Sequence, residues 1–458
     1  MFKIKIGIFA VLLTFCGGQK GYLFGQSGKE VPRYKEKLSA WQDLKFGMII
    51  HWGLYAVPGI VESWSICSED EDWIPRDSTV DYETYKRDYW ELIHKFNPVD
   101  FNPEQWARVA EMAGMKYVIF TTKHHDGFAL FDTKESDFKV TNSAFKYHPK
   151  ADVARYVFEA FRQKGMMVGA YFSKPDWHSP YYWWSRYATP TRHVNYKIDR
   201  HPDRWHSFQK YTYNQIYEIV HNYGHLDILW LDGGWVAPPE EDILMDSIAK
   251  MVHETQPGML IVDRTVGGSH EHYRTPEKQI PDKQLPYAWE TCMPLSKDWG
   301  YIPNAVFKSS KEVIATLVEV VAKGGNLLLG IGPTPEGIIE PSVETRLQEI
   351  GHWLHRYGES LFATIPDTNY QQGNLWFTVS KKQDYAYAIH VPKLGEPAPR
   401  QISWQGHTPK KGTRIWLLNH ARPLNWQTKN GITTVFLPDE RILTDEIFAL
   451  KIEISCCK

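Results

Sequence analysis

Four times in succession the sequence passes from apolar residues at helical spacing, through a glycine, into a short apolar run that ends on polar side chains; this repeat limits the fold more than any other feature. In the first unit Asn102 and Pro103 open a helix as N-cap and first-turn proline, Trp106, Val109, Ala110 and Ala113 line one face, and Gly114 closes it. Tyr117 to Thr122 then reads as a strand ending in Lys123, His124, His125 and Asp126. The second unit has Val153, Tyr156, Val157, Ala160 and Phe161, then Gly165, the strand Met167 to Phe172, and a polar stretch from Ser173 to His178. The third runs through Ile216, Ile219, Val220, Tyr223 and Gly224 into Ile228 to Leu231, ending at Asp232, Gly233 and Gly234. The fourth has Ile248, Met251 and Val252, then Pro257 and Gly258, and Met259 to Val262 followed by Asp263 and Arg264.

Such units cross over right-handed and give a parallel α/β sheet, either closed into a barrel or open and doubly wound. Three observations favour the barrel: no GxGxxG follows the first strand, polar residues recur at nearly every strand end, and further strands follow. Lys45 to Gly53 supplies an earlier strand, Tyr287 to Thr291 a sixth, and Asn326 to Ile331 another after a capping box from Ser309 to Glu312. The expectation is an irregular (β/α)8-like barrel of TIM type over residues 33–362. Beyond Thr364 the period changes to alternation, with short strands at Leu375 to Val379, Tyr385 to Val391, Arg414 to Leu418 and Thr433 to Leu437, and Asn430 and Gly431 as a hairpin turn. This predicts a C-terminal β-sandwich over 365–458 without catalytic residues of its own.

A net charge of −2 over 458 residues offers no footprint for nucleic acid or an anionic membrane. Lys3 and Lys5 ahead of the apolar run Ile6 to Phe15 read as a secretory signal, too short to span a membrane, with cleavage near Gly25. Lipidation at Cys16 is the less favoured alternative, because bulky Phe15 precedes it. The expected location is therefore periplasmic or extracellular. Cys67, Cys292, Cys456 and Cys457 then remain, too few and too irregular for a disulfide scaffold or a zinc site, and their redox state stays open, as does the oligomeric state.

At or just after the expected strand ends stand His51, Glu62, Trp64, His124, His125, Asp126, Tyr171, Asp176, His178, Trp230, Asp232, Arg264 and Glu290. Residues of several strands meeting at one rim make a barrel active site. Metal catalysis is disfavoured: no HxH or HExxH is present, and neighbours such as His124 and His125 would point to opposite faces if both lay on a strand. A non-catalytic sugar-binding protein would use the same aromatic rings but has no need of paired carboxylates.

The stretches KFGMIIHWGLYAVPG, YVIFTTKHHDGFALF, ILWLDGGW, IVDRT, WETC with WGY after it, and NLLLGIGPTPEG resemble, in order, the α-L-fucosidase family of retaining glycoside hydrolases. That resemblance implies an exo-acting enzyme on terminal α-L-fucose of fucosylated glycans, with no cofactor or metal. It places the nucleophile at Asp232, fucose binding at His51, His124, His125, Tyr171, Trp230 and Arg264, and the acid/base at Glu290 with Glu62 as the alternative. Where the family often has G-S-E-W, this chain has Val61, Glu62, Ser63 and Trp64, and the resemblance implies further sugar contacts from Glu62 and Trp64. The expected division follows environment: Arg264 keeps Asp232 ionised, while Tyr287, Trp289 and Cys292 keep Glu290 protonated.

Overall fold

The computed structural model describes residues 30–454 except 70–73, 75, 78, 190, 265–267, 394, 398, 410–411 and 439–445, with side chains from residue 35 onward. The signal segment, Cys16, Cys456 and Cys457 lie outside the described residues. Helix α1 (Glu30–Leu44) leads into strand β1 (Phe46–Ile50), and α2 (Tyr82–Trp90) follows on the rim. Then come α3 (Pro103–Met112), β2 (Tyr117–Lys123), α4 (Val153–Gln163), β3 (Met167–Ser173), α5 (Pro202–Asn222), β4 (Ile228–Asp232), α6 (Met245–Thr255) and β5 (Leu260–Val262). After β6 (Glu290–Pro294) come α7 (Ser310–Ala322), β7 (Asn326–Ile331) and α8 (Pro341–Tyr357). The sequence signals act as read: Asn102 caps α3 by accepting from Gln105 N at 3.0 Å, and Ser309 with Glu312 forms a capping box on α7.

The seven strands form one sheet in the order β5-β4-β3-β2-β1-β7-β6, each neighbouring pair parallel, as in a TIM-like domain. Their side chains sort by the period of two into an inner and an outer core. Ile49, Tyr117, Ile119, Tyr171, Ile228, Trp230, Val262, Cys292 and Leu328 pack together inside, whereas Leu229, Leu231 and Ile261 join the core shared with the helices. Asp232 is two residues on from Trp230 and so shares its inner face. Trp41 of α1 enters the inner cluster, stacked on Tyr273 with centroids 3.9 Å apart.

Between β5 and β6 runs the irregular segment 271–278. It makes single bridges to both, Val262 with Glu271 on one side and Arg274 with Trp289 and Glu277 with Cys292 on the other. The expected sixth strand, Tyr287 to Thr291, is corrected here: the strand starts three residues later, at Glu290, in register with Asn326, the first residue of β7. That puts Glu290 at the start of its strand rather than at its end.

After α8 the chain becomes antiparallel. Strands β8 (Thr364–Gln372), β9 (Leu375–Ser380), β10 (Tyr385–His390), β11 (Gln401–Gln405), β12 (Ile415–Leu417), β13 (Trp426–Lys429), β14 (Ile432–Phe436) and β15 (Phe448–Glu453) form a five-stranded sheet, β12-β15-β10-β9-β8, and a three-stranded one, β11-β14-β13. Asn430 and Gly431, both at positive φ (53° and 76°), make the β13–β14 turn as expected. Phe377 of β9 meets Trp404 of β11 edge-on, joining the two sheets. Trp353 of α8 donates to the Ile447 carbonyl at 2.8 Å, tying the antiparallel part to the parallel one.

Candidate active site

At the C-terminal ends of the parallel strands lies a cavity of about 300 Å³. His51 after β1, His124 and His125 after β2, Tyr171 on β3, Trp230 and Asp232 on β4 and Arg264 after β5 all line it, as do Glu62 and Trp64 from the loop after β1. Nine of the expected site residues are thus brought together. At the far end of β4, Gly233 takes φ +83°, and a Cβ there would sit 2.3 Å from Pro175 Cδ, so the turn behind Asp232 needs glycine. Arg264 itself has φ 54°, a conformation that costs a non-glycine residue about 1–3 kcal/mol and that aims its guanidinium back into the cavity.

Asp232 is the most strongly bonded group in the site. Its Oδ1 accepts from Arg264 Nη1 at 2.7 Å and from Gly233 N at 2.8 Å, and its Oδ2 from the Tyr171 hydroxyl at 2.6 Å. Burial pushes its pKa upward, but the Arg264 guanidinium, the nearby histidines and the Tyr171 hydrogen bond outweigh it and hold the carboxyl well below the usual carboxylate range. Burial lowers His51 and His124 to about 3 and carries His125 well below its ordinary value. Ser63 pairs with His124 Nδ1, and Ser173 with His125 Nδ1 at 2.9 Å, while His51 Nδ1 is buried with no hydrogen-bond partner among the described residues.

The expectation that His124 and His125 face opposite ways is corrected. β2 stops at Lys123, so the pair lies in a turn rather than on a strand, and its rings sit 4.2 Å apart in the same cavity. With Asp232 they form a set whose ligand atoms fall within 4.8 Å of one another. That set is poorly suited to a cation, because Arg264 already places a positive charge on the Asp232 carboxylate.

The expected acid/base Glu290 is not at the rim. It is fully buried beneath the cavity, where Oε2 accepts from the Tyr117 hydroxyl at 2.5 Å and Oε1 from Trp230 Nε1 at 3.3 Å. Burial raises it to about 8. The physical reason is the strand register: Tyr117 begins β2 as Glu290 begins β6, so both lie at the end of the sheet away from the site. Asp126 is also outside, buried against Tyr89, and Asp176 is held by Lys123 and Tyr211. His178 stacks on Phe138 away from the cavity.

Glu277 lines the cavity instead. Bridged to Cys292, it stands two residues further toward the site than Glu290. Its Oε2 accepts from Arg264 Nη2 at 2.9 Å and its Oε1 from Trp299 Nε1 at 3.2 Å. Glu62 is buried against the backbone of the same Trp299, its Oε1 accepting from the backbone N of Trp299 and Gly300 at 2.7 and 2.9 Å, and burial raises it to about 7 despite those bonds. Arg192 and Trp235 complete the rim, the guanidinium 4.8 Å from the Trp64 centroid. Neither Glu277 nor Arg192 sits in a periodic stretch, so pattern alone passes over them. The one available signal is that a second carboxylate must stand near Asp232, which makes each glutamate around β6 a candidate.

The comparisons agree with this geometry. The family model for α-L-fucosidase matches residues 27–359. Human plasma α-L-fucosidase is 31% identical over 426 residues, covering 86% of this chain and 85% of that one. Among solved structures, α-L-fucosidase isoenzyme 1 from Paenibacillus thiaminolyticus superposes with a TM-score of 0.78 at 28% identity, covering 92% of this chain and 100% of its own. The Thermotoga maritima α-fucosidase in complex with fucose does so with a TM-score of 0.72 at 27% identity, covering 90% and 96%. With a match over most of its length and a carboxylate-lined cavity at the strand ends, this chain belongs to the α-L-fucosidase family of glycoside hydrolases.

Proposed function

We propose that the enzyme removes terminal α-L-fucose from fucosylated glycans by double displacement, with Asp232 as nucleophile and Glu277 as acid/base. The observation that carries this is the Arg264 bridge: one guanidinium bonds Asp232 through Nη1 and Glu277 through Nη2, so two carboxylates face the same cavity side by side. A shared guanidinium favours the closer of the two spacings glycosidases use, about 5–5.5 Å for retention against about 6.5–9.5 Å for inversion. Ionised Asp232 then attacks C1, and a glutamate beside it protonates the leaving oxygen and afterwards takes a proton from water. His51, His124, His125, Tyr171, Trp230 and Arg264 surround the sugar, and the unpartnered Nδ1 of His51 supplies a buried polar atom that a fucose hydroxyl would satisfy. Trp64 offers a ring face, and Glu62 holds the Trp299 backbone or bonds the sugar through its other oxygen.

Purified protein assayed on aryl glycosides of α-L-fucose, β-D-galactose and α-L-rhamnose tests the substrate; turnover confined to either of the latter two ends the reading. The first-formed anomer, followed by NMR, tests the mechanism. Retained α-fucose supports a fucosyl-enzyme on Asp232, whereas inverted product makes Asp232 a base for water.

In the same reading, residues 33–362 form the catalytic domain, an irregular (β/α)8-like barrel whose eighth stave is the segment 271–278 bridging β5 and β6, and 365–458 form a β-sandwich domain. Residues 1–25 are the export signal. Among the described residues no helix is long and apolar enough to cross a membrane. N-terminal sequencing of the mature protein tests export, and a start at Met1 overturns it.

A further inference from the structure

A second cavity of about 440 Å³ lies beside the catalytic one and is larger than it, at about 440 against 300 Å³. Trp90, Trp177, Trp183, Trp184 and Tyr187 give it aromatic walls. Trp177 is the partition: its ring meets Trp64 at 5.4 Å and His125 at 5.1 Å, both catalytic-cavity residues, and stacks at 5.0 Å on Trp183. A single layer of rings therefore separates the two spaces. One stretch of chain after β3 serves both, since Arg192 lines the first and Trp177, Trp183 to Thr189 and Asn195 line the second.

The Trp183 and Trp184 rings and the Tyr187 backbone are fixed in place. Asn195 accepts from Trp184 N at 2.8 Å and donates to the carbonyls of Trp184 and Tyr187, each at 3.0 Å. Arg204 lies 3.8 Å over the Trp184 ring, and Trp183 Nε1 donates to the His193 carbonyl at 3.0 Å. Rings held this firmly lose little freedom when a ligand arrives. Tyr187 nevertheless stays 41% exposed, and Trp184 is only half-buried. An apolar ligand would strip water from Glu83, Lys86 and Arg186, which share the cavity, whereas a pyranose presents C–H faces to the rings and hydroxyls to the charges.

We propose that this cavity binds the sugars to which the fucose is attached, so that the enzyme recognises the carrier part of the same glycan molecule. The inference rests on the fucosidase reading and adds to it. Its test is the ratio of kcat/KM on a panel of fucosylated tri- and tetrasaccharides to kcat/KM on an aryl fucoside, for wild type, Tyr187→Ala, Tyr187→Phe and the double variant Trp184→Ala with Tyr187→Ala. The expected result is a fall of roughly tenfold in that ratio for the double variant and a smaller one for Tyr187→Ala, with Tyr187→Phe near wild type because it keeps the ring. An aryl fucoside rate that stays level shows that the variants fold. Titration calorimetry of wild type with the fucose-free oligosaccharides should show binding that the double variant loses. An unchanged ratio overturns the proposal, and so does binding lost without any change in the ratio, since that is a separate glycan chain docking. Failure of wild type to cleave any aryl fucoside would instead strike the fucosidase reading.

Discussion

Arg264 donates to Asp232 at 2.7 Å from one side of the strand ends while the Tyr171 hydroxyl donates at 2.6 Å from the other, and among the groups that lower the carboxyl's pKa the guanidinium acts most strongly. Burial works against it, and the guanidinium is the largest single contribution to keeping this carboxylate ionised. Arg264→Gln should move the acidic limb of kcat/KM to higher pH, because burial then dominates and Asp232 takes up a proton more readily. Losing a charged donor at such a site costs roughly 10²–10³ in rate. An equal loss at all pH values, with the limb unmoved, would show that Arg264 only binds sugar.

Asp232→Ala should remove turnover of every fucoside by about 10⁴-fold or more, as loss of a nucleophile does elsewhere. Neighbouring Tyr171, Trp230 and Arg264 remain to hold the sugar. Binding of free fucose, measured by calorimetry, should therefore survive within the limits of one lost contact. A variant that loses binding and turnover together would mean that Asp232 anchors rather than attacks.

Glu277 and Glu290 separate cleanly by experiment. Glu277→Ala should keep activity on an aryl fucoside with a good leaving group, lose it on natural glycans, and recover with azide as the α-azide product, azide taking the place of water on the fucosyl-enzyme. Glu290→Gln keeps a side chain able to bond Tyr117 and Trp230 and should retain turnover of both substrates. If Glu277→Ala cleaves natural glycans normally, Glu62→Ala becomes the variant to assay, because Glu62 is the other glutamate on the cavity wall among the described residues.

These roles turn on a shift of three residues that no pattern in the sequence fixes. Tyr287, Ala288 and Trp289 are apolar and precede Glu290, so WETC reads equally well as a strand ending on a carboxylate or starting from one. Strands with clear boundaries were legible: Asn326–Ile331 lies as expected, because Gly324 and Gly325 stop α7 before it and Gly332 follows it. Helix α1 carries charges around most of its circumference, and β8 alternates with few apolar residues, so neither announces itself. The segment 271–278 has no period, being held by single bridges rather than a ladder. Site residues on or just after regular strands were therefore visible, as were Glu62 and Trp64 in the loop after β1, whereas Glu277, on irregular backbone far from any such strand end, was not.

The end of the sheet opposite the site should govern stability rather than catalysis. Helices α3 and α8 approach so closely there that a Cβ on Gly351 would sit 1.7 Å from the Met112 carbonyl oxygen. Gly351→Ala must push the helices apart, at a cost of about 1–3 kcal/mol or more. Thermal denaturation should show a lower Tm, while kcat on an aryl fucoside at 25 °C stays near wild type. An unchanged Tm would mean that α8 shifts freely over α3.

The last prediction concerns pH and the buried Glu290. Its folded pKa is raised from 4.5 to about 8, by burial first, with the Tyr117 and Trp230 hydrogen bonds opposing. Between those values the folded state holds a proton that the unfolded state has released, so ν_U is smaller than ν_N and stability falls as pH rises through the window. Glu62 and Asp126, each raised to about 7, act in the same direction. His51 and His124, lowered to about 3, act oppositely: below their unfolded value of 6.5 the unfolded chain binds the extra protons and stability falls as pH drops. Wild type alone thus reports a sum, and the difference between wild type and Glu290→Gln isolates one carboxyl. The amide carries no titrating proton and occupies nearly the same volume. Urea midpoints measured from pH 5 to 8 should therefore show the variant gaining on wild type as pH rises, with the gap smallest at pH 5. A gap that is constant across this range would mean that Glu290 is as ionised in the folded protein as in the unfolded chain, and that the Tyr117 hydroxyl serves a carboxylate rather than an acid.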